Sequence, residues 1–367
     1  MSLIKPFSGI RPKKKYAKGI TSPNISYINN YKLSKKINFL NLLNASNISK
    51  SKKILLNLRK KGIIQQDQSS HFYLYRITYD KKKLLGLVGK IDINNYDDKK
   101  ILGHEETFVE RIKKRKEQLI KFNSQISPIY TTYKINQTSL KKLKNMFKSK
   151  PDYNLKSKDN CTHELWVVRK KNLEKLVKNY VKNINKIYIC DGHHRIQAML
   201  KSKRKIAPMI IAFPDKQVNI LDYNRVIKTN FKFDKIKKII TQNFSMNISN
   251  RNNKLKQSQI EMFYDKKWYL LKPFKKSKEL DVTILRNSIL NKILKNKKDI
   301  KFVSGIKGKK ALENLINTKK YNLAFKLYPT NIKQVIAFAE KRKYMPQKST
   351  WFHPKPLDGL ISSKIIS

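Results

Sequence analysis

Apolar and polar positions along this chain change period in short blocks, and each change predicts an element. Phe72 to Asp80 and Leu84 to Ile93 alternate or run apolar around a lysine-rich turn, which predicts a β-hairpin. Ser51 to Gly62 has Ile54, Leu55 and Leu58 at helical spacing, with Gly62 as its C-cap. Thr107 to Phe122 places Phe108, Ile112, Leu119 and Phe122 on one helical face, around a charged middle. Ser127 to Tyr133, Leu165 to Val168 and Met209 to Phe213 predict strands, and Tyr223 to Ile227 continues the sheet. Lys141 to Lys148 and Leu173 to Val181 predict helices. Beyond them, helices are predicted at Asp234 to Thr241, Asp281 to Lys295, Leu312 to Asn317 and Ile332 to Lys343. The strands Trp268 to Lys272 and Leu323 to Leu327 fall between these, and Ser349 to Ile361 is extended. Strands and helices alternate irregularly, the mark of an α+β or mixed-sheet architecture.

The block with the most chemistry runs from Ile187 to Leu200. Ile187 to Cys190 reads as a buried strand, Asp191-Gly192 as a turn, and His193 to Leu200 as a helix with Ile196, Met199 and Leu200 on its apolar face. A helix start offers unpaired N–H groups and a positive dipole end. With Gly192 allowing close approach and Arg195 adding a fork of donors, this is a seat for phosphate. His193 and His194 point to different sides of that start. Asp191 suits a divalent metal or a histidine partner. Simple capping of the helix is the competing account.

Glu105 and Glu106 precede the helix predicted from Thr107. A carboxylate there can act as a general base or bind magnesium. Compensation of the helix dipole explains acids at this place too, and on the residues alone it is the better account. Lys348, Ser349 and Thr350, between prolines and followed by Trp351-Phe352, suit a nucleotide contact or a surface loop; no glycines precede them as in a P-loop. Arg225 after Asn224 is an ion-pair residue or a ligand clamp. His163-Glu164 lacks the spacing of a His-Glu-x-x-His zinc helix.

Composition sets limits on these readings. The 367 residues are 40% hydrophobic and 10% aromatic, enough for a real core in two or three lobes. No run approaches the roughly 18 apolar residues of a membrane span. The N-terminus lacks the apolar stretch and cleavage site of a secretion signal, and Cys161 and Cys190 are the only cysteines. Two cysteines make neither a disulfide framework nor a zinc quartet, which fits a reducing cytoplasm. The net charge is +58, with 71 Lys and only 12 Arg. Nucleic-acid readers favour Arg and concentrate charge on one face. Lysines spread along the whole chain fit compositional drift better, with weak nonspecific polyanion binding as a by-product.

Taken in order, the motifs resemble the bacterial family called domain of unknown function 1015. They are Lys5 to Pro12, His104-Glu105-Glu106-Thr107, Ser127-Pro128-Ile129, Asp191 to Arg195, Tyr223-Asn224-Arg225 and Met345 to Lys355. The chain departs where the family has Pro-Pro-Tyr-Asp, here Ser22-Pro23-Asn24-Ile25, and in a shorter segment after Asn41. The strand, Asp-Gly-His-His-Arg and helix are also similar to the nucleotide motif of the ParB and sulfiredoxin superfamily. That superfamily includes kinases of free serine. Sulfiredoxin chemistry itself is disfavoured, because His193 stands where it needs a cysteine.

The resemblance implies an α+β fold. A ParB-like mixed-sheet core at residues 97–228 would be elaborated by a 1–96 N-terminal lobe and a 229–367 C-terminal lobe carrying Lys348 to Thr350. It implies a kinase moving a phosphoryl group from ATP or another nucleotide, with Mg²⁺, to a small-molecule hydroxyl, free L-serine first. On that reading Gly192, His193, His194 and Arg195 seat phosphates, and Asp191 helps hold Mg²⁺. Glu105 takes the hydroxyl proton beside His193 and His194, and Arg225, Lys348, Ser349 and Thr350 close on the nucleotide or the product. The alternatives are a ParB-like nucleotide-binding regulatory or DNA-associated protein without kinase activity, and a phosphohydrolase.

Overall fold

The computed structural model describes residues 2–23, 48–96, 99–202, 206–250, 253–275, 277–294 and 296–365. Asn24, Ile25, the segment from Asn41 to Asn47, Asp97 and Lys295, which entered the readings above, lie outside these. The fold is mixed α/β, as expected, and forms two compact units. The first comprises Met1–Val218, Ile336–Tyr344 and Pro354–Ser367; the second comprises Asn219–Val335 and Met345–His353.

In the first unit the strands are β1 (Ile4–Lys5), β2 (Ile10–Pro12), β3 (Ile64–Gln66), β4 (Tyr73–Tyr79), β5 (Lys82–Ile91) and β6 (Ile101–Leu102). They continue with β7 (Ser124–Gln125), β8 (Ile129–Tyr133), β9 (Tyr153–Lys156), β10 (Thr162–Val167), β11 (Ile187–Asp191) and β12 (Met209–Pro214). The helices are α1 (Lys14–Ile20), α2 (Ile48–Lys60), α3 (Val109–Phe122), α4 (Gln137–Asn145), α5 (Lys171–Val181) and α6 (His193–Leu200). A mixed sheet runs β6-β11-β8-β12-β5-β4-β10-β9, with β1 also on β5. The β6–β11 and β8–β12 pairs are parallel and the rest antiparallel.

The expected boundary at residue 96 is not a break. The hairpin β4–β5, assigned to an N-terminal lobe, lies mid-sheet between β12 and β10, because its strands are apolar on both faces and must be covered on both. Its turn is tighter than expected. Asp80 and Lys81 both have positive φ and connect Tyr79 to Lys82 in two residues, the geometry of a type I′ turn. Every residue of β8 is buried, so its polar groups need internal partners. Thr131 and Thr132 donate to the Ile211 and Phe213 carbonyls at 3.0 and 2.8 Å. Helix α4 starts four residues before its expected place because Asn136 caps it, accepting from the Ser139 N–H at 2.8 Å.

A buried polar network ties β2 to β9 and the β3–β4 connection. Arg11 donates to both oxygens of Asp67, through Nε at 2.9 Å and through Nη2, and to the Tyr153 hydroxyl at 2.8 Å. Tyr73 donates to Asp67 at 2.6 Å while its hydroxyl accepts the Gly9 N–H at 2.7 Å. A Cβ at Gly9 would fall 2.5 Å from that hydroxyl, so glycine is required there by the close approach.

The second unit holds an antiparallel sheet of β14 (Tyr223–Ile227), β15 (Phe244–Ile248), β16 (Ile260–Tyr264), β17 (Lys267–Pro273), β18 (Ile300–Ser304) and β19 (Leu323–Leu327), in the order β15-β17-β16-β19-β14-β18. A separate pair joins β13 (Ile220–Leu221) to β20 (Trp351–Phe352). Helix α7 (Phe233–Thr241) buries Ile236 and Ile240, and Leu312 packs with Val226, Trp268 and Ala324. The helix expected over Asp281 to Lys295 is interrupted by a π turn at Arg286–Leu290.

Candidate functional site

The centre of the site follows from strand pairing. Parallel pairing of β6 with β11 sets Ile101 opposite Ile187 and Leu102 opposite Tyr188. The chain leaving β6, Gly103-His104-Glu105, therefore runs beside the end of β11, where Asp191-Gly192 opens α6. The register of β11 against β8 shifts between Ile189 and Asp191, which takes the last residues of the strand out of regular alternation. Gly192 sits at φ 113°, a conformation that side chains disfavour. A Cβ there would also lie 3.0 Å from Arg195 Nη2 and 3.2 Å from Ile129. Gly192→Val is expected to cost about 1–3 kcal/mol in urea denaturation.

Both histidines turn toward the 104–108 segment, with separate partners. His193 is buried, and its Nε2 accepts the His104 backbone N–H at 3.2 Å. Burial, and then the neighbouring His104 ring, hold the imidazole well below its usual pKa, so it is neutral. A neutral ring that accepts at Nε2 carries its proton on Nδ1. That nitrogen lies 3.5 Å from Glu105 Oε2. His194 Nε2 accepts the Phe108 N–H at 3.2 Å, and its ring stacks on Phe108 with centroids 5.9 Å apart.

Helix α3 begins at Val109, with Glu110 as its first-turn acid. Glu105 thus lies in extended chain outside the first turn, where the helix-dipole account does not reach it. It stands against His193 instead.

Asp191 and Arg195 are engaged with the protein. Lys355 Nζ donates to Asp191 Oδ1 at 2.9 Å, while Arg195 Nη2 is 3.7 Å from Oδ2. Burial opposes the Asp191 charge, but Lys355 and Arg195 outweigh it and hold the carboxyl well below its ordinary range. The Asp191 side chain is 40% exposed, so a ligand can still reach it. Arg195 Nη1 donates to the Ser127 and Pro128 carbonyls at 2.8 and 3.2 Å. Those bonds fasten α6 to the entrance of β8. Asp358 completes the group, its carboxyl raised by burial against a bond from Ser127 and the charges of Arg195 and Lys355.

Sequence reasoning passed over three of these residues. His104 and Lys355 lie inside motifs whose neighbouring residues carry the stronger chemical signal. Asp358 carried no motif signal. The His104 ring meets His193 edge to face at 4.6 Å. Burial pushes His104 down to about 4. Rings kept neutral in the fold lose stability on acidification, because the unfolded chain takes up protons that they refuse. The stability is intact above about pH 6.5, the unfolded value, and falls as pH drops toward 4. Urea denaturation along that range should show the loss, with a smaller slope in His104→Phe.

A cavity of about 230 Å³ opens beside this site, lined by Tyr96, Ile101, Leu102, Gly103, Arg342 and Tyr344. A Cβ on Gly103 would lie 3.1 Å from His193 Cδ2, so the cavity wall and the histidine share one face.

Arg225, Lys348, Ser349 and Thr350 belong to the second unit, whereas Lys355 at the end of the same motif belongs to the first. Within the second unit Arg225 is buried and donates to the Tyr223 carbonyl and, at 3.2 Å, to the Lys348 carbonyl. Burial lowers its guanidinium to about 10. Lys348 Nζ stands 5.6 Å from the Tyr223 ring centre, and Ser349 donates to the Pro346 carbonyl. Thr350 is half-buried.

A family profile described as "Protein of unknown function (DUF1015)" matches residues 4–288. No curated protein matches the chain. Among solved structures, SbnI with a C-terminal truncation, from Staphylococcus aureus, is 12% identical, with a TM-score of 0.43 over 74% of this chain and 85% of that one. A free serine kinase in complex with AMP is 11% identical, with a TM-score of 0.41 over 79% of this chain and 94% of the other. A free serine kinase variant in complex with ADP is 11% identical, with a TM-score of 0.42 over 76% and 92%.

Proposed function

The chain belongs to the DUF1015 family, and from that premise we propose that it is a small-molecule kinase that transfers a phosphoryl group from a nucleotide to a hydroxyl, free L-serine being the first acceptor to test. One observation carries the reading. Glu105 is held 3.5 Å from the Nδ1 of a neutral, buried His193 on the first turn of a helix that opens at a left-handed glycine. A base is thereby positioned beside a phosphate seat. Phosphoryl transfer asks little more of a protein than positioning and charge neutralisation.

The roles divide by chemistry. The backbone at Gly192 and the first turn of α6 receives phosphate oxygens at the positive end of the helix. Glu105 takes the acceptor proton, with His193 Nδ1 3.5 Å from its carboxylate. His194, stacked on Phe108, sets the spacing between α6 and the Glu105 segment. Arg195 acts as a brace, because its Nη1 already serves Ser127 and Pro128 and its Nη2 faces Asp191. Asp191 would hold Mg²⁺ through its carboxylate, which is partly exposed and has Oδ2 3.7 Å from Arg195 while Lys355 donates to Oδ1. A bound ion would supply charge neutralisation for the transferring phosphoryl group. The cavity beside Gly103 has room for a small planar ring or an amino acid.

A thermal-shift series tests the nucleotide half of this reading. ATP, ADP or CTP with Mg²⁺ should raise the melting temperature, as any ligand of the native state must. The shift should shrink in Gly192→Val measured against that variant's own baseline. No shift with any of the three would remove the nucleotide seat from the account.

A further inference from the structure

The turn between β9 and β10 gathers three side chains that phosphoryl transfer does not use. Asp159, Cys161 and His163 are spaced two apart as the chain runs into β10; Cys161 and His163 share one face of the extended chain, and the turn at Asn160 brings Asp159 beside them. One ligand-type atom from each lies within 4.8 Å of the other two. Cys161 and His163 are buried, and Asp159 is half-buried at the turn. The loop is closed by the Ser157 N–H on the Cys161 carbonyl at 2.8 Å, with Asn160 at φ 60° allowing the reversal.

The surroundings are arranged as they are around a metal-binding imidazole. His163 Nδ1 lies 3.0 Å from the Tyr75 hydroxyl, which accepts the Leu357 N–H at 3.0 Å. Such an outer hydrogen bond on one ring nitrogen fixes the ring and directs the other nitrogen to the ligand. That other nitrogen, Nε2, points to Ser157 Oγ at 3.2 Å, and the same hydroxyl donates to Asp159. The hydroxyl thus links two of the three donor groups. Glu164, the acid next in sequence, is committed to Arg76.

We propose that Asp159, Cys161 and His163 bind a borderline-soft divalent transition metal, zinc by preference, with Ser157 Oγ or a water as the fourth ligand. A thiolate, an imidazole and a carboxylate together select zinc-like ions and not magnesium or calcium, which take oxygen alone. Zinc bonds of about 2.0–2.3 Å require the turn to contract around the ion, with Asp159 exchanging its bond from Ser157 for the metal while His163 stays within β10. Binding replaces the S–H bond of Cys161 with a metal–sulfur bond and releases its proton to solvent. The ion pins the turn of the β9–β10 hairpin.

Untagged full-length protein, stripped with a chelator and titrated with Co²⁺, tests this. One equivalent should bind, giving the thiolate-to-cobalt charge-transfer band and the strong visible absorption of a tetrahedral site. Zn²⁺ should displace it. Cys161→Ser should abolish the charge-transfer band, and Asp159→Asn, a change in the turn that leaves the core untouched, should weaken binding about tenfold or more. Cys190→Ser should leave the band intact. Absence of saturable binding, a band that follows Cys190, or equal affinity in Asp159→Asn and the parent would overturn the proposal.

Discussion

Glu105→Gln is expected to lower the turnover for phosphoserine formation by about a hundredfold to ten-thousandfold, the usual contribution of a positioned general base. The amide keeps the shape of the side chain and its approach to His193, but it accepts no proton. On the proposed reading the phosphate is seated at Gly192 and the first turn of α6, so nucleotide affinity should stay within about twofold, because the substitution leaves ground-state binding alone. His194→Ala should behave differently. It removes the acceptor for the Phe108 N–H and the stack on that ring, so it loosens the segment carrying Glu105. Its loss should fall on both kcat and KM. If the Glu105→Gln loss fell wholly on KM, Glu105 would be a binding group and not the base.

Asp67→Asn should be the most damaging single change to stability, at roughly 3–5 kcal/mol, because it leaves the Arg11 charge buried without its partner. Side-chain exposure at the pair is only 5% for Arg11 and 10% for Asp67, so water cannot take over. Replacing both residues with apolar ones of similar volume, Arg11→Met with Asp67→Leu, should recover a large part of the loss. The pair also has a pH signature. Burial works against the Asp67 charge, yet Arg11 and Tyr73 hold its carboxyl below the ordinary value. A depressed carboxyl contributes stability above its unfolded pKa of about 4, and this is lost as pH falls through the lower folded value. The acid loss from Asp67 therefore begins near its unfolded pKa of about 4, at the lower end of the range in which His104 acts. Two separate phases in stability against pH, the upper flattened in His104→Phe and the lower absent in Asp67→Asn, would distinguish the two sources.

Much of this was legible in the chain. The strand, turn and helix around Asp191-Gly192 stand where the residues placed them, because an apolar run, a glycine and a helical apolar stripe agree locally. The β4–β5 hairpin was read for the same reason. Strand β16 was missed because it closes onto β17 through Asp265-Lys266, both at positive φ, where the usual glycine signal is missing. Side-chain direction was the larger gap. Nothing in the spacing of Arg195 shows that its guanidinium turns back to the Ser127 and Pro128 carbonyls. Nothing local to Lys355 shows that it reaches Asp191, 164 residues away in the chain. From the residues alone Glu105 falls within reach of the helix dipole, because their spacing predicts a start for α3 two residues before Val109.

The most direct measurement is phosphorus NMR of the purified protein with nucleotide, Mg²⁺ and L-serine. The account predicts a growing phosphomonoester resonance of phosphoserine, matched by loss of the nucleotide's terminal phosphate and lost in Glu105→Gln. Unchanged spectra with ATP, ADP and CTP, or release of inorganic phosphate alone, would contradict it.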